Sequence, residues 1–323
     1  VTIEIARGCG AGCRFCQAGY HYRPGLFRTV DALAAEVDAS LRHTGYDEVS
    51  LTSLSSADHP CLGELLDRLA PVCAGRKVSL SVSSLRAYGL PDSALRVLGH
   101  TRRAGLTLAP EAGTQRLRDV ISKRVTDTDL LDGVRRIAAA GWRRVKLYFM
   151  LGLPTETDED LGGIVDLVHR VVGAGRSAGV SSFQATVSIS TFVPKPHTPF
   201  QWEPMLPFDE IRRRQRFLRD RLRSRAVEVS VHDAAGSVLE SLLGRGDERA
   251  AAAVADAYAA GAYLDAWSEH FSWDRWRDAL ERAGVSPEEA SRPLDPLAPT
   301  PWDHVSCGLD PDFLRREREH ALA

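Results

Sequence analysis

The sequence predicts an α/β fold: a partial (βα)6 TIM-like barrel followed by a C-terminal, mainly helical extension. Up to about residue 192, short β-type runs alternate with helical stretches at the spacing of βα units, which favours a parallel sheet with helices packed outside it. The β-type runs are TIEIA, EVSLT, KVSLSV, GLTLA, RVKLYFM and SFQATVSIS. The helical stretches, several of them opened by Asp, Ser or Thr caps, lie near residues 30–43, 61–70, 91–99, 114–122, 127–140 and 158–176.

The second observation is a proline-rich segment, FVPKPHTPFQWEP, over residues 192–204. Proline cannot donate a backbone hydrogen bond, so this segment continues neither a helix nor a central strand. We therefore expect a core barrel over residues 1–205 and a mainly helical region over residues 206–323. In barrels of this kind the active site forms at the carboxyl ends of the strands, so the chemistry is expected in the loops that follow them.

Composition excludes several classes of protein. With 323 residues, 44% of them hydrophobic, the chain can bury a large core and is not disordered. The net charge of -2 gives no overall attraction to nucleic acid or to a membrane surface. No run of eighteen apolar residues occurs. The six cysteines are too unevenly spaced for a disulfide framework, which favours a reducing, cytoplasmic location.

Three cysteines form the strongest motif, RGCGAGCRFC, directly after the first predicted strand. Cys9, Cys13 and Cys16 are separated by three and two residues, and thiolates are the usual ligands of iron-sulfur clusters. Interleaved glycines supply unusual backbone angles, so that one loop can wrap a 4Fe-4S cluster. Three ligands leave one iron open, and an open iron can chelate the amino and carboxylate groups of S-adenosylmethionine (SAM).

The alternative for this motif is a structural zinc site. Such a site needs a fourth protein ligand, for which His21 is the nearest candidate, and it usually comes as paired CxxC motifs. The remaining cysteines, Cys61, Cys73 and Cys307, stand alone, and we interpret them as small apolar or inert residues.

Five segments together resemble the radical SAM superfamily, in the branch related to methylthiotransferases and to B12-binding-type radical SAM proteins of bacteria. They are IEIARGCGAGCRFCQAGYHYRP, TLAPEAGTQRLRDVISK, KLYFMLGLPTETDED, FVPKPHTPFQW and the terminal PWDH. The resemblance implies a 4Fe-4S cluster, SAM and a reductant such as flavodoxin or ferredoxin. The chain contains no DxHxxG cobalamin motif, and Val1 directly precedes the first predicted strand. We therefore expect upstream sequence, and any cobalamin would enter through a domain absent from this chain.

The resemblance also implies individual cofactor contacts. Phe15 is the aromatic residue before the last cysteine of the CxxxCxxC signature. The loop SLSS, with Ser53, Ser55 and Ser56, stands where relatives have a GGEP-like loop that holds the SAM amino group, although a serine-rich turn explains it equally well. After the third strand, the resemblance implies SAM contacts from two further residues, Ser83 and Arg86.

Three more contacts follow the later strands. Glu111 has no basic neighbour in sequence, so it is a candidate SAM contact, and a glutamate that stabilises a helix start is the alternative. Lys123 lies near a position where relatives place a basic residue for the SAM carboxylate. In MLGLPTET, Gly152 allows a close approach to adenine, although an ordinary βα turn would also explain it. We interpret the acids at 158–160 as helix caps.

The C-terminal region offers two further features. A segment with eight arginines, residues 209–225, either meets RNA phosphates or solvates an exposed helix face, since acids and apolar residues interrupt it. In YLDAWSEHFSWDRW, Trp267, Trp273 and Trp276 stand at near-helical spacing, which predicts a helical cap packed on the barrel.

The sequence thus predicts a radical SAM enzyme with an unidentified substrate and no catalytic residue assigned. The first alternative is a tRNA- or ribosome-modifying methyl- or methylthiotransferase. The second is a non-catalytic RNA-binding or structural metal-binding protein, which would need neither the three cysteines nor the Gly152 turn.

Overall fold

The computed structural model describes residues 1–82, Leu95 and residues 106–323. In this part of the chain the strands are β1 (Thr2–Glu4), β2 (Ala6–Arg7), β3 (Leu26–Phe27), β4 (Glu48–Thr52), β5 (Ser79–Val82), β6 (Leu106–Glu111), β7 (Arg144–Leu151), β8 (Gln184–Thr191) and β9 (Val227–Val231). The α-helices are α1 (Ala18–His21), α2 (Val30–His43), α3 (Leu62–Gly75), α4 (Gln115–Val120), α5 (Asp127–Ala139), α6 (Asp158–Ser177), α7 (Phe208–Arg221), α8 (Ala234–Arg245), α9 (Glu248–Ala259), α10 (Trp273–Arg282) and α11 (Pro311–Leu322).

Local chemistry fixes where the barrel helices begin. The hydroxyl of Thr126 accepts a hydrogen bond from the backbone amide of Asp129 in α5, and the hydroxyl of Thr157 accepts one from the amide of Asp160 in α6. Each aspartate carboxylate in turn accepts a hydrogen bond from the backbone amide of its threonine. Both helices therefore start with a complete capping box. Asp160, the N3 residue of α6, is one of the acids expected to be capping groups, and the structure confirms that expectation.

The strands form two parallel sheets, in the orders β1-β4-β5 and β6-β7-β8-β9. Ile3 lies opposite Leu51, and Leu108 opposite Leu147. Every second residue of β7 is buried, as expected where helices cover one side of a sheet. The predicted α/β architecture with parallel sheets is confirmed. The predicted helix at 91–99 and the link from β5 to β6 fall mainly on residues outside the described ones.

Two hydrophobic clusters contain most of the buried side chains. The larger lies between the sheets and helices α2, α3, α5 and α6, and it also takes in Leu218 and Leu222 at the end of α7. Strand β9 pairs in parallel with β8, so the βα alternation continues past the proline-rich segment. The second cluster joins α8, α9 and α10. The boundary at residue 205 stays a prediction, but α7 and β9 pack with the barrel side.

The structure differs from two expectations. The TIEIA run does not form one strand: β1 ends at Glu4, and β2 turns away to pair antiparallel with β3. The expected helical tryptophan cap is wrong for Trp267, which lies outside a helix and is exposed, because α10 begins only at Trp273. Among the described residues, no helix is both long enough and apolar enough to span a bilayer.

Candidate functional site

The cysteine loop, defined here as residues 8–17, follows β2 at the carboxyl end of the first sheet. Gly8 has a φ of +90°, and a Cβ there would lie 2.3 Å from the carbonyl oxygen of Tyr22, so only glycine fits. The amide of Cys9 donates to that same carbonyl at 3.3 Å, and the amide of Cys16 donates to Cys13 O at 3.1 Å. All three cysteines are free thiols and half-buried. The loop is therefore tightly turned and presents three unpaired thiols.

Arg14 anchors this loop from the inside. Its side chain is buried, and Nη1 donates to Asp119 O at 3.2 Å and to Val120 O at 2.8 Å at the end of α4. Its Nε lies 3.2 Å from Glu317 Oε2 on α11. The sequence analysis did not identify Arg14, although it stands between Cys13 and Phe15. Phe15 itself packs into an apolar cluster with α4 and Ala321, which holds the loop from a second side.

The proline-rich segment and the C-terminal helix complete the support. Gln17 Nε2 donates to Pro196 O at 3.0 Å. Tyr20, Trp202 and Leu314 form a small buried cluster between α1, this segment and α11. The hydroxyl of Tyr20 lies 3.3 Å from Gly12 O, and burial raises the pKa of that hydroxyl above its usual range. Residues from both ends of the chain therefore shape the cysteine loop.

A cavity of about 370 Å³ opens beside the loop, within the volume range of small-molecule sites. Its lining includes Cys13, the ring of Phe27, Asp58 and the two cations Lys123 and Arg124. A second, more open cavity of about 540 Å³ lies at the ends of β1 and β4, where its lining includes Arg7, Tyr22, Ser53 and Leu54. Both cavities thus lie next to the cysteine loop, at the same edge of the first sheet.

Glu111 and Lys123 meet next to the first cavity. Lys123 Nζ lies 3.0 Å from Glu111 Oε1, and both side chains are largely buried. Glu111 therefore has a basic partner in the folded chain, Lys123, which lies 12 residues away in sequence. Glu111 has a φ of +68° at a register shift of β6 against β7, a strained backbone for a residue other than glycine. Both charges act on Cys13, whose thiol pKa burial raises, while Lys123 lowers it.

Arg118 shapes the segment between Glu111 and Lys123. It is fully buried, and its guanidinium donates to the carbonyl oxygens of Val125 and Ala112, each at 3.0 Å, and pairs with Asp127. These bonds close the chain reversal that brings Lys123 back to Glu111. No motif in the sequence marks Arg118. Its one signal is its place next to the apolar residue Leu117, which is also buried.

The serine loop after β4 contains one unusual group. Ser53 Oγ and Ser56 Oγ share a hydrogen bond of 2.9 Å. Ser55, in contrast, is buried, and its hydroxyl has no hydrogen-bond partner among the described residues. A buried hydroxyl without a partner costs free energy, so a ligand atom that accepts its proton would be favoured.

Two charged residues that no sequence motif marks, Glu156 and Arg214, hold the turn after β7. Gly152 has a φ of +78°, and its amide donates to Glu156 Oε2 at 2.7 Å. The same carboxylate is fully buried against Arg214 of α7. Burial raises the pKa of Glu156 to about 7. A Cβ on Gly152 would lie 2.7 Å from the side chain of Leu206, so Leu206 occupies the space on that side of the turn.

The other predicted site residues are dispersed or outside the described part. Ser83 and Arg86 are not among the described residues. The ring of His21 lies 5.5 Å from that of His197 in an edge-on contact. Within residues 1–82, 95 and 106–323, no three His, Cys, Asp or Glu side chains are arranged to hold a single metal ion. A 4Fe-4S cluster makes a different demand, because each thiolate binds its own iron.

The arginine segment is partly neutralised. Arg213 and Arg214 both pair with Glu210, and Arg213 also reaches Asp158. Arg216 and Arg219 are exposed on the outer face of α7. Ion pairs thus neutralise part of this segment, and its exposed arginines leave both interpretations, the solvated helix face and the RNA contact, as predictions.

Comparison with known proteins identifies the family. A profile described as the radical SAM superfamily matches residues 3–168, just over half of the chain. The chain therefore belongs to the radical SAM superfamily, whose members are enzymes that bind a 4Fe-4S cluster and cleave SAM. The resemblance seen in the sequence is confirmed.

Individual relatives share only part of their length with this chain. An uncharacterized protein of Methanocaldococcus jannaschii is 33% identical over 247 residues, which cover 76% of this chain and 52% of the relative. A tRNA-2-methylthio-N(6)-dimethylallyladenosine synthase of Chromohalobacter salexigens is 24% identical over 251 residues, 71% of this chain and 51% of that protein. The chain thus spans about half the length of the curated relatives it matches.

Among solved structures, the radical SAM methyltransferase TsrM from Kitasatospora setae, with cobalamin and a 4Fe-4S cluster bound, matches with a TM-score of 0.50. The match covers 62% of this chain and 38% of TsrM at 16% identity. At this identity the likeness shows the fold alone.

Proposed function

We propose that this chain is a radical SAM enzyme in which Cys9, Cys13 and Cys16 hold the 4Fe-4S cluster and the 370 Å³ cavity beside Cys13 receives SAM. The observation that carries the proposal is the placement of three free thiols on one loop, next to a cavity with two cations in its lining. When bound, the reduced cluster would supply the electron that breaks a carbon-sulfur bond of SAM. The protein residues bind, orient and shield that chemistry.

The donor set fits these groups. Three unpaired thiols meet the ligand requirement of a cluster with one open iron. Lys123 and Arg124 bring positive charge to the cavity, which suits the SAM carboxylate, and the ring of Phe27 offers an apolar contact. Ser55, whose buried hydroxyl has no partner among the described residues, stays a predicted SAM contact and is not part of the lining of this cavity. Because burial raises the pKa of Cys13, cluster binding must displace its proton.

Other residues that were predicted to contact SAM have supporting roles in this proposal. Ser53 and Ser56 orient the serine loop through their shared hydrogen bond. Glu111 positions Lys123 at the cavity. Gly152 shapes the turn after β7 with Glu156 as its brace. Ser83 and Arg86 stay predictions for the loop after the third strand.

The test is anaerobic reconstitution with iron and sulfide, followed by measurement of iron content, the visible spectrum and 5'-deoxyadenosine release after dithionite reduction. We expect about four irons per chain. Cys13→Ala should lose both cluster and deoxyadenosine, whereas Cys61→Ala, which removes an exposed thiol elsewhere, should retain both. A colourless protein with one zinc, or equal deoxyadenosine release by Cys13→Ala and the parent, would contradict the proposal.

The electron donor and location belong to the same proposal. A flavodoxin or ferredoxin would deliver the electron, and the cytoplasm would keep the thiols reduced. Replacing dithionite by reduced flavodoxin should support the same product. Cobalamin stays a prediction for a domain absent from this chain. A spectroscopic titration with hydroxocobalamin tests whether this chain binds cobalamin by itself.

A second candidate function is the modification of tRNA. Relatives described as tRNA-2-methylthio-N(6)-dimethylallyladenosine synthases support it, as do the exposed guanidiniums of Arg216 and Arg219. If α7 contacts RNA phosphates, replacing both arginines by glutamine should weaken tRNA binding and flatten its dependence on salt. The exposed pair Arg277 and Arg282 on α10 provides the matched control. Equal binding by both double variants would exclude this role for α7.

A further inference from the structure

A separate cavity lies among the C-terminal helices. It has a volume of about 220 Å³ and is formed by α8, the start of α9 and the segment from Val285 to Leu294. Its lining shares no residue with the two cavities at the cysteine loop. Ser241 and Arg245 stand four residues apart on α8, so their side chains share one face of that helix.

Two polar atoms in this lining are buried and unsatisfied. Ser241 is only 1% exposed, and its hydroxyl has no hydrogen-bond partner among the described residues. The Nε of Arg245 is likewise buried without a partner. Among the residues that the structure describes, the two terminal nitrogens of Arg245 donate only to the carbonyl oxygens of Ala290 and Arg292, each at a long 3.4 Å. Buried donors are almost always paired in native proteins, so this group of donors lacks an acceptor.

The charges around the cavity leave Arg245 uncompensated. Arg249 pairs with Asp247 at 2.9 Å and with Glu289 at 3.0 Å, so these two acids are already neutralised. Glu203 acts on Arg245 from a distance, but its carboxylate is bound to Arg318. Burial without a close carboxylate lowers the pKa of Arg245 to about 10. Arg292 also lines the cavity, and Glu288, the acid on which its charge acts, is not part of that lining.

We propose that this cavity is a binding site for an oxyanion, the phosphate or carboxylate group of a small molecule, held by Ser241 and Arg245. An anionic oxygen accepts from the serine hydroxyl and from Nε–H of Arg245 together, which satisfies both donors and compensates the charge. A cation would be repelled by Arg245, and an apolar group would leave both donors unpaired. The site is independent of the cluster and of the proposed SAM cavity.

The experiment uses the full chain and two probes, inorganic phosphate and acetate, at constant ionic strength. Calorimetric titration and thermal unfolding should show saturable binding of one probe, with a rise in Tm that follows its concentration. Arg245→Gln should weaken that binding about tenfold or more, and Ser241→Ala about threefold or more. Arg135→Gln, which removes the same charge from an exposed position on α5, is the matched control and should bind like the parent.

Each outcome decides the proposal. Binding of phosphate alone identifies a phosphate group, and binding of acetate alone identifies a carboxylate. No saturable binding of either probe overturns the proposal, as does equal binding by the parent, Arg245→Gln and Ser241→Ala. Should Arg245→Gln fail to fold, Arg245→Lys and Ser241→Ala carry the test, because lysine keeps the charge but lacks the Nε donor.

Discussion

At the level of single residues, the pairing of Glu111 with Lys123 changes the meaning of both. Each residue was a separate candidate in the sequence, and the glutamate was singled out because no base stands near it. The ion pair forms because the chain reverses between them around buried Arg118. Lys123 then lines the cavity beside Cys13, and the ion pair with Glu111 holds its ammonium group in place.

The pair should contribute to stability. Both side chains are largely buried, so Glu111→Gln and Lys123→Met should each destabilise the apo chain by about 1–3 kcal/mol, because each leaves a charge without its partner. The double variant should lose less than the sum, with a coupling of about 1 kcal/mol. Urea unfolding of the four proteins measures it. The exposed pair Asp132 and Arg135, treated in the same way, should show almost no coupling; strict additivity for the buried pair would refute its role.

Glu156 carries a pH dependence of its own. Its pKa is raised from 4.5 to about 7 by burial, so the folded chain binds the proton more tightly than the unfolded chain does. The protonated carboxyl of Glu156 therefore contributes its full stabilisation of the folded chain below pH 4.5, and this contribution is lost as the pH rises through 7. Relative to Glu156→Gln, the wild-type free energy of unfolding should therefore fall by up to about 3 kcal/mol across this window.

The measurement is urea unfolding of both proteins at several pH values inside that window. Glu159→Gln, which changes an exposed acid three residues further on in the first turn of α6, should run parallel to wild type. If Glu156→Gln also runs parallel, the carboxyl titrates at its ordinary pKa and the burial argument fails.

At the level of elements, the cysteine loop depends on parts of the chain that lie far away in sequence. Arg14 connects the loop to the end of α4 and to α11, and Phe15 packs between the same two helices. The sequence motif therefore specifies the three proposed ligands, whereas the positions of these cysteines depend on helices that the motif does not include.

Loss of this anchor should weaken cluster retention. Arg14→Gln removes a buried guanidinium with three partners, so the reconstituted cluster should bleach in the presence of a chelator about tenfold faster, while the far-ultraviolet circular dichroism stays unchanged. Glu317→Gln should have a smaller effect, because it removes one contact of 3.2 Å. Arg316→Gln, at an exposed position on α11, is the control. Bleaching at the parental rate in Arg14→Gln would show that the loop holds its shape without the anchor.

The sequence predicted those parts of the fold and site that depend on local patterns. Short β-type runs at the spacing of βα units predicted the strands, and Asp, Ser or Thr caps predicted several helix starts. The two-residue strands β2 and β3 carry no such pattern, so the first run was read as one strand. Trp267 was misjudged because a near-helical spacing of aromatics says nothing about where a helix begins.

The supporting residues of the site were missed for a related reason. Arg14 and Glu317 are 303 positions apart, and Glu156 and Arg214 are 58 apart. No local period relates such pairs, so only the folded chain reveals them. The three cysteines, in contrast, stand within eight residues of one another, so their spacing alone makes them candidate ligands.

At the level of the whole molecule, the last helix and the first loop behave as one unit. Leu314 of α11 is buried against Tyr20 and Trp202, so it joins the C-terminal helix, the proline-rich segment and the helix after the cysteines. The mainly helical region is thus not an independent appendage at this edge. The proline-rich segment turns the chain at the end of the barrel and at the same time supports the cysteine loop.

Leu314→Ala tests this connection. The substitution should cost about 3 kcal/mol through the cavity it leaves, and it should loosen α11 from the cysteine loop. In the apo protein, alkylation of Cys9, Cys13 and Cys16 should then accelerate relative to Cys61, an exposed internal reference in the same chain. Peptide mass analysis after timed alkylation gives the four rates. Unchanged ratios would mean that the loop is independent of α11.

The contact between Arg14 and Glu317 also bears on how the protein is made. A ribosome releases the cysteine loop first, and the glutamate that holds its arginine emerges about three hundred residues later. During that interval the three thiols lack one of their supports and stay open to oxidants and stray metal ions. We therefore expect a cluster to be held firmly only after the segment that carries Glu317 has been made and has folded.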